Sequence, residues 1–477
     1  MYYQAESELG LNFLKTLPGA HNESLVFSPV SIALVLALVH TGAVGNSKKQ
    51  IENTLLNKAN CNNCQFVNHF SSVSKSLKQG INGVEVNMAN RLYLKNGSTA
   101  KRLFLSAISL NYGSEARALD FRTTDAMQKI NGYVKSSTKG KIEKIINCQD
   151  SIRNANGMLI NAMAFKGGWE DGFPNSPGMQ LFHKNEREGV WVGVLADSSI
   201  RGYSSDDIFQ VLSLKYVDPR FQLSIFLPKK KNSLNDALKK LDNRRFENLM
   251  DNIKPTFVNM SSCPEVQMSR CPDIQMSRYP DVQISRCPDI QISRYTDIQM
   301  SRFPDVQMFR SPDVQTTRCA DVRISRCPDI HMSRYPDVRM SRFPITELPK
   351  FNINYRISLK NTLKAIGITE IFSDFADLTG IADKAKISEG IHKSTIQLTE
   401  SGTGTGCTFN AAAAPGIGNG ASPNGAVNIG CGATVAKTVR VLPIVRTGNP
   451  IEFRADHPFL FALTYLNHSV YMGVYRG

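Results

Sequence analysis

One stretch near the C-terminus restricts the fold more than any other. From Glu389 the chain runs through Ile391-His392-Lys393-Ser394-Thr395-Ile396-Gln397-Leu398-Thr399-Glu400. Apolar and polar residues alternate from Ile391, the period of a half-buried strand. The composition then changes abruptly. Ser401-Gly402-Thr403-Gly404-Thr405-Gly406 is small, flexible and poor in β-branched aliphatic residues. A buried strand that passes straight into an exposed tether is the expected arrangement. The tether is held again at its far end, where Phe453-Arg454-Ala455-Asp456-His457-Pro458-Phe459-Leu460-Phe461 is largely apolar and aromatic.

Other segments predict a large mixed core. The chain has 477 residues, 42% of them hydrophobic. Ala5 to Thr16 places Leu9, Phe13 and Leu14 on one helical face. Ser28-Pro29 opens a second helix: the serine can cap it, and proline loses nothing in a first turn where its N–H would have no partner. Val30 to Val44 is apolar nearly all round, so that helix should be deeply buried, and Ser31 within it needs a hydrogen-bond partner. Val84 to Leu94 alternates as a strand. Asn161 lies inside the apolar strand Met158 to Phe165 and must also be satisfied. Leu103–Tyr112, Thr124–Ser137 and Leu234–Leu249 read as helices, and Phe209–Leu214 and Gln222–Leu227 as strands closed by Pro228-Lys229.

Four motifs tie these segments to a known family. They are Phe27-Ser28-Pro29-Val30-Ser31-Ile32, Thr138-Lys139-Gly140-Lys141-Ile142, the run from Asn161 through Phe165-Lys166-Gly167 to Trp169, and Phe453 to Phe461. In this order, with the glutamate and Gly-Thr hinge between the last two, the chain resembles the serpins, the serine-protease inhibitors. The resemblance implies an α+β fold. A large, mostly antiparallel central sheet would be joined by smaller sheets, about eight to nine helices and an exposed reactive loop. It implies no catalytic residue and no cofactor, because the nucleophile belongs to the target protease. The expected function is suicide inhibition of a serine protease, with a cysteine protease as a further partner class. The alternative is a non-inhibitory serpin-fold protein for storage, chaperoning or binding, cleaved as a substrate.

The resemblance also assigns residues. Ser28, Ser31, Asn161 and His392 would form one buried polar network. Glu400, Gly402, Thr403 and Thr405 would be the hinge. Trp169, Lys350 and Glu400 would line the place where the sheet opens. Counting back from Phe453 puts the scissile bond near Arg440, with Leu442 and Arg446 as rivals. Arg440 would suit a trypsin-like pocket.

Two regions depart from the family pattern. Residues 263–342 are ten tandem octads of the form C/Y/F-P-D-I/V-Q-M/I-S-R. Proline recurs in almost every unit and cannot donate to a strand ladder, so only short extended pieces are allowed. A disordered or loosely ordered insert is expected, with a small β-solenoid or a binding array as alternatives. It divides the domain into 1–262 and 343–477. The second departure is the loop 402–450, longer than the family's usual reactive loop and rich in Gly, Ala and Asn, which favours flexible coil.

Bulk properties narrow the remaining classes. The net charge of +15 favours solubility and general attraction to polyanions over a built nucleic-acid site. Lys229-Lys230-Lys231 is the densest basic run, and the ten regularly spaced octad arginines are opposed by ten carboxylates, with Arg323 and Arg339 in excess. Cys61 and Cys64 form a lone C-x-x-C without a second pair, so no metal site is expected and free thiols are. Gly402-Thr403-Gly404-Thr405-Gly406 lacks the helix and ribose-binding acid of a nucleotide loop. No apolar run is long enough to cross a bilayer, so a monomer without membrane contact is expected. No secretory leader is visible, which implies a cytoplasmic or leaderless protein, or an extracellular one if the start is incomplete.

Overall fold

The computed structural model describes residues 2–56, 63–79, 83–173, 178–259, 347–383, 385–404 and 451–477, with eight short strands between 273 and 332. Its centre is a six-stranded sheet. In chain order its members are β1 (Val84–Lys95), β2 (Glu115–Leu119), β3 (Gly157–Gly168), β4 (Phe351–Ser358), β5 (Glu389–Thr399) and β6 (Gly402–Thr403). Across the sheet they run β4-β5-β6-β3-β1-β2. The two-residue strand β6 therefore sits between β5 and β3.

Both faces of this sheet are covered. One carries helix α2 (Pro29–His40), every residue of which is buried. Ser28 caps it by accepting the Ser31 amide at 3.1 Å. The helix ends at His40 and not at Val44, as the apolar run suggested: Thr41 caps its C-terminus and Gly42 lies against Ile381 so closely that a Cβ would be 2.4 Å from it. The other face carries helix α4 (Thr124–Ser137). Its Ala126, Ile130 and Val134 close a smaller core with Ile142, Ile145, Ile146, Met158, Ile160 and Ile391. At the exit of α4 the Thr138 hydroxyl donates to Val134 O and accepts the Ile142 amide, which accounts for a buried threonine in that motif. Along β5, His392, Ser394, Ile396 and Leu398 alternate inward while Ile391 packs under α4, so the lower end of this strand is buried on both sides.

A second, eight-stranded sheet packs beneath α2. Its spine is the hairpin β7 (Phe459–Tyr465) and β8 (His468–Tyr475), almost wholly buried. Helix α1 (Tyr2–Thr16) contacts β8, and helix α3 (Asn63–Lys78) contacts α2. One expectation is corrected here. The segment 234–249 is two helices, Leu234–Lys240 and Asn243–Asp251, because Leu241 is extended and fully buried and Asp242 starts a new helix by capping the Arg245 amide. The described segments flanking the octad tract belong to different sheets. Lys254–Asn259 joins the eight-stranded sheet, whereas Glu347–Pro349 pairs with Gly189–Ala196 in a separate three-stranded sheet.

The octad strands make two four-stranded parallel sheets. Each strand pairs with the one two octads further on, as Asp273 opposite Asp289. No helix among the described residues is long and apolar enough to cross a membrane.

Candidate functional site: the parting between two central strands

The pairing of β5 with β3 changes character halfway along. From Glu389↔Met158 to Thr395↔Ala164 the two strands pair in parallel. Above that point β6 separates them, pairing antiparallel with both: Thr399 and Leu398 on one side, Gly168 and Gly167 on the other.

Below the parting, a polar network is buried in an otherwise apolar interface. The register sets His392 opposite Asn161, and Asn161 opposite Asn90 of β1. The Asn161 amide donates to Ser31 Oγ at 2.8 Å, to Ser31 O at 3.0 Å and to Asn90 Oδ1. Its carbonyl contacts His392 Nδ1. His392 Nε2 accepts the Ser28 amide at 3.0 Å and lies 2.6 Å from Ser394 Oγ. One tautomer satisfies all of this, a neutral imidazole protonated at Nδ1. Burial pushes the imidazole pKa down to about 3, so it stays neutral. Sequence reasoning missed Asn90, Ser394 and Tyr471. The first two are ordinary strand residues whose role follows only from register. Tyr471 of β8 reaches up to the upper limit of β3–β5 pairing, its hydroxyl 2.9 Å from Met163 O and 3.2 Å from Thr395 O.

Above the parting, β5 reverses at Glu400-Ser401. The tether does not leave directly into solvent, as the Gly-Thr composition suggested: Gly402, Thr403 and Gly404 are buried. Gly402 has φ +151° and Gly404 φ +107°, values that favour glycine. A Cβ on Gly402 would stand 2.1 Å from Gly167 O. Thr403 Oγ1 lies 2.6 Å from the Tyr216 hydroxyl, and Tyr216 stacks on Trp169 with centroids 4.6 Å apart. Trp169 also donates its indole N–H to Thr399 O at 2.9 Å. Lys350 forms an ion pair with Glu400. Burial alone would raise the Glu400 pKa, but the Lys350 hydrogen bond and charge hold it below the usual range. Trp169, Lys350, Glu400, Gly402 and Thr403 thus meet at one end of the sheet.

Beyond the loop the chain is anchored again. Phe453, Ala455 and Phe459–Phe461 are fully buried. His457 contacts Pro228 O through Nε2 at 2.8 Å and Asp456 through Nδ1 at 2.7 Å, and Asp456 pairs with Lys231. Thr405, Arg440, Leu442 and Arg446 lie outside the described residues, as do the side chains of Cys61 and Cys64. Cys148 is exposed and not in a disulfide.

A mixed sheet with a buried polar seam and one strand turning back to part its neighbours belong to an α+β protein of the serpin fold. The sequence agrees: the serpin (serine protease inhibitor) family matches residues 4–276 and 333–474, and the chain belongs to that family. The match breaks within the octad tract. Rat corticosteroid-binding globulin is 32% identical over 200 residues, 41% of this chain and 50% of that protein. Human serpin I2 is 29% identical over 235 residues, 47% of this chain and 57% of that protein. The chain thus spans just over half the length of these two curated relatives. Iripin-2 of Ixodes ricinus is 21% identical over 468 residues, 96% of this chain and 88% of that protein. Among solved structures, Serpin48 of Tenebrio molitor superposes with a TM-score of 0.67 at 20% identity, over 100% of this chain and 98% of that one. Uncleaved ovalbumin superposes with 0.67 at 17%, over the whole of both chains.

Proposed function

We propose that the chain inhibits a serine protease by suicide trapping, with Arg440 as the bait residue and Leu442 and Arg446 as the competing positions. The target's serine attacks the bait bond and forms an acyl-enzyme. The freed loop then extends β6 down between β5 and β3 and carries the protease with it. Distorting the target's active site by about 1 Å can slow deacylation about 100-fold, which holds the ester.

The observation that carries this reading is β6 itself. It is a strand already begun where the rest would follow. Extending it exchanges one parallel β3–β5 interface for two antiparallel ones, and parallel pairing is slightly weaker per residue. Each added backbone hydrogen bond contributes on the order of 1 kcal/mol net, against an ordering cost of roughly 1–2 kcal/mol per residue. The gain therefore has to come from packing of the inserted side chains as well. Lys350, Glu400 and Trp169 hold the entrance, and the His392–Asn161 seam closes the path below it.

Incubation with trypsin tests this. An inhibitor leaves a covalent complex that survives boiling in detergent. A clipped product alone would favour the second reading, a serpin-fold protein cleaved as a substrate. The length of the 402–450 loop supports that alternative, since a long loop inserts slowly relative to deacylation.

A further inference from the structure

Far from the parting, three side chains from the two ends of the chain converge on one point. Glu6 comes from α1, His69 from α3, and His468 is the first residue of β8. Glu6 is 1% exposed, so its carboxylate has left water almost entirely. That is costly unless the charge is met. Its Oε2 lies 2.8 Å from His468 Nδ1. Its Oε1 accepts no hydrogen bond and lies 3.6 Å from His69 Nε2. The two imidazole rings are tilted at 42° to each other with centroids 5.5 Å apart. The three donor atoms all lie within 4.8 Å of one another.

We propose that Glu6, His69 and His468 bind a divalent transition-metal cation, of which zinc fits best. Two imidazoles and one carboxylate are a recognised zinc donor set, with a fourth position left for water. Metal–ligand bonds of about 2.1 Å in a tetrahedron place donors about 3.4 Å apart. The distances of 2.8 Å from Oε2 to His468 and 3.6 Å from Oε1 to His69 lie either side of that value, so His468 has to move outward and His69 inward, each by a fraction of an ångström. A cation here would neutralise a buried anion and stand in place of the long Oε1–His69 contact. Ser7 Oγ, 3.2 Å from Ser469 Oγ, already holds α1 against β8 beside the site. The metal would tie α1 and α3 to the start of the C-terminal strand.

Calorimetry of the full chain with zinc chloride, repeated with cobalt for its tetrahedral visible absorption, tests the site. One equivalent should bind, and the melting temperature should rise with metal concentration. His69→Gln, at a partly exposed position, and Glu6→Gln should each weaken binding at least about tenfold. His69→Gln should leave the metal-free melting temperature within a few degrees of the parent, and it decides the case if Glu6→Gln does not fold. Absence of saturable binding would mean a metal-free ion-pair cluster only and would overturn the proposal. Binding that is unchanged in His69→Gln would place the metal elsewhere, for example on the cysteines, and would overturn it equally.

Discussion

The two halves of the β3–β5 boundary are built from opposite principles. The lower half is closed by backbone pairing in parallel register and by a buried polar network in which each member depends on the others. The upper half is parted, and what fills the gap is three small residues, two of them glycines in conformations that exclude a side chain. Closure below is specific and expensive to disturb. Occupancy above rests on two residues of pairing with each neighbour. On the proposed inhibitory reading, a sheet divided in this way is poised, with the His392–Asn161 seam below the parting limiting its opening.

The largest expected effect lies in the seam. The His392 pKa is lowered from 6.5 to about 3 by burial, so the folded state refuses a proton that the unfolded chain accepts. Stability is then complete above the unfolded value of 6.5 and is lost as pH falls from there toward 3. The slope is about 1.4 kcal/mol per pH unit. Denaturant melts of the parent and His392→Gln across this window should diverge by that slope. Parallel curves would mean that His392 is not held neutral in the folded protein.

Above the seam the next effect is smaller. Gly402→Ala should drive a Cβ into Gly167 O and unseat β6, at a cost of about 1–3 kcal/mol. Hydrogen exchange at the Thr403 and Gly404 amides should accelerate, while β5 below Thr395 keeps its protection. Loss of protection along all of β5 would show that the halves are not independent. Tyr471→Phe removes the hydroxyl that spans both strands at the boundary, a change of about 1 kcal/mol. It should speed opening from the boundary downward, read as faster exchange at Ser394 and Ile396. Lys350→Met should be the mildest, under about 1 kcal/mol, because both partners of its ion pair are about a third exposed. Its mark should be faster protease cleavage near Glu400 and little change in melting.

What the sequence made legible divides along the same line. Ser31 and Asn161 stand out because each is polar within an apolar run and must find a partner, whereas Ser28 and His392 were joined to them only by the family resemblance. The strand β5 and the anchor from Phe453 to Phe461 are visible in their patterns. Asn90 and Ser394 were hidden, since register decides whether a strand polar residue meets another, and register depends on the whole sheet. The return of Gly402 to Gly404 into the sheet was hidden for a related reason. A run of Gly and Thr looks like a tether, and only a gap between two distant strands turns it into a strand. Leu241 broke a helix that periodicity favoured because its burial outweighed helical continuity. Glu6 and His468 lie 462 residues apart in sequence, a distance over which no local pattern can report.

The central claim is that the intact fold stores energy in the unfinished upper half of this sheet. It is tested most directly by cutting the 402–450 loop with a protease and comparing thermal unfolding of the nicked and intact chains. The nicked chain should melt well above the intact one, because β6 can then lengthen into a full strand between β5 and β3. A nicked chain that melts at or below the intact temperature would contradict the account, whatever the trypsin experiment gave.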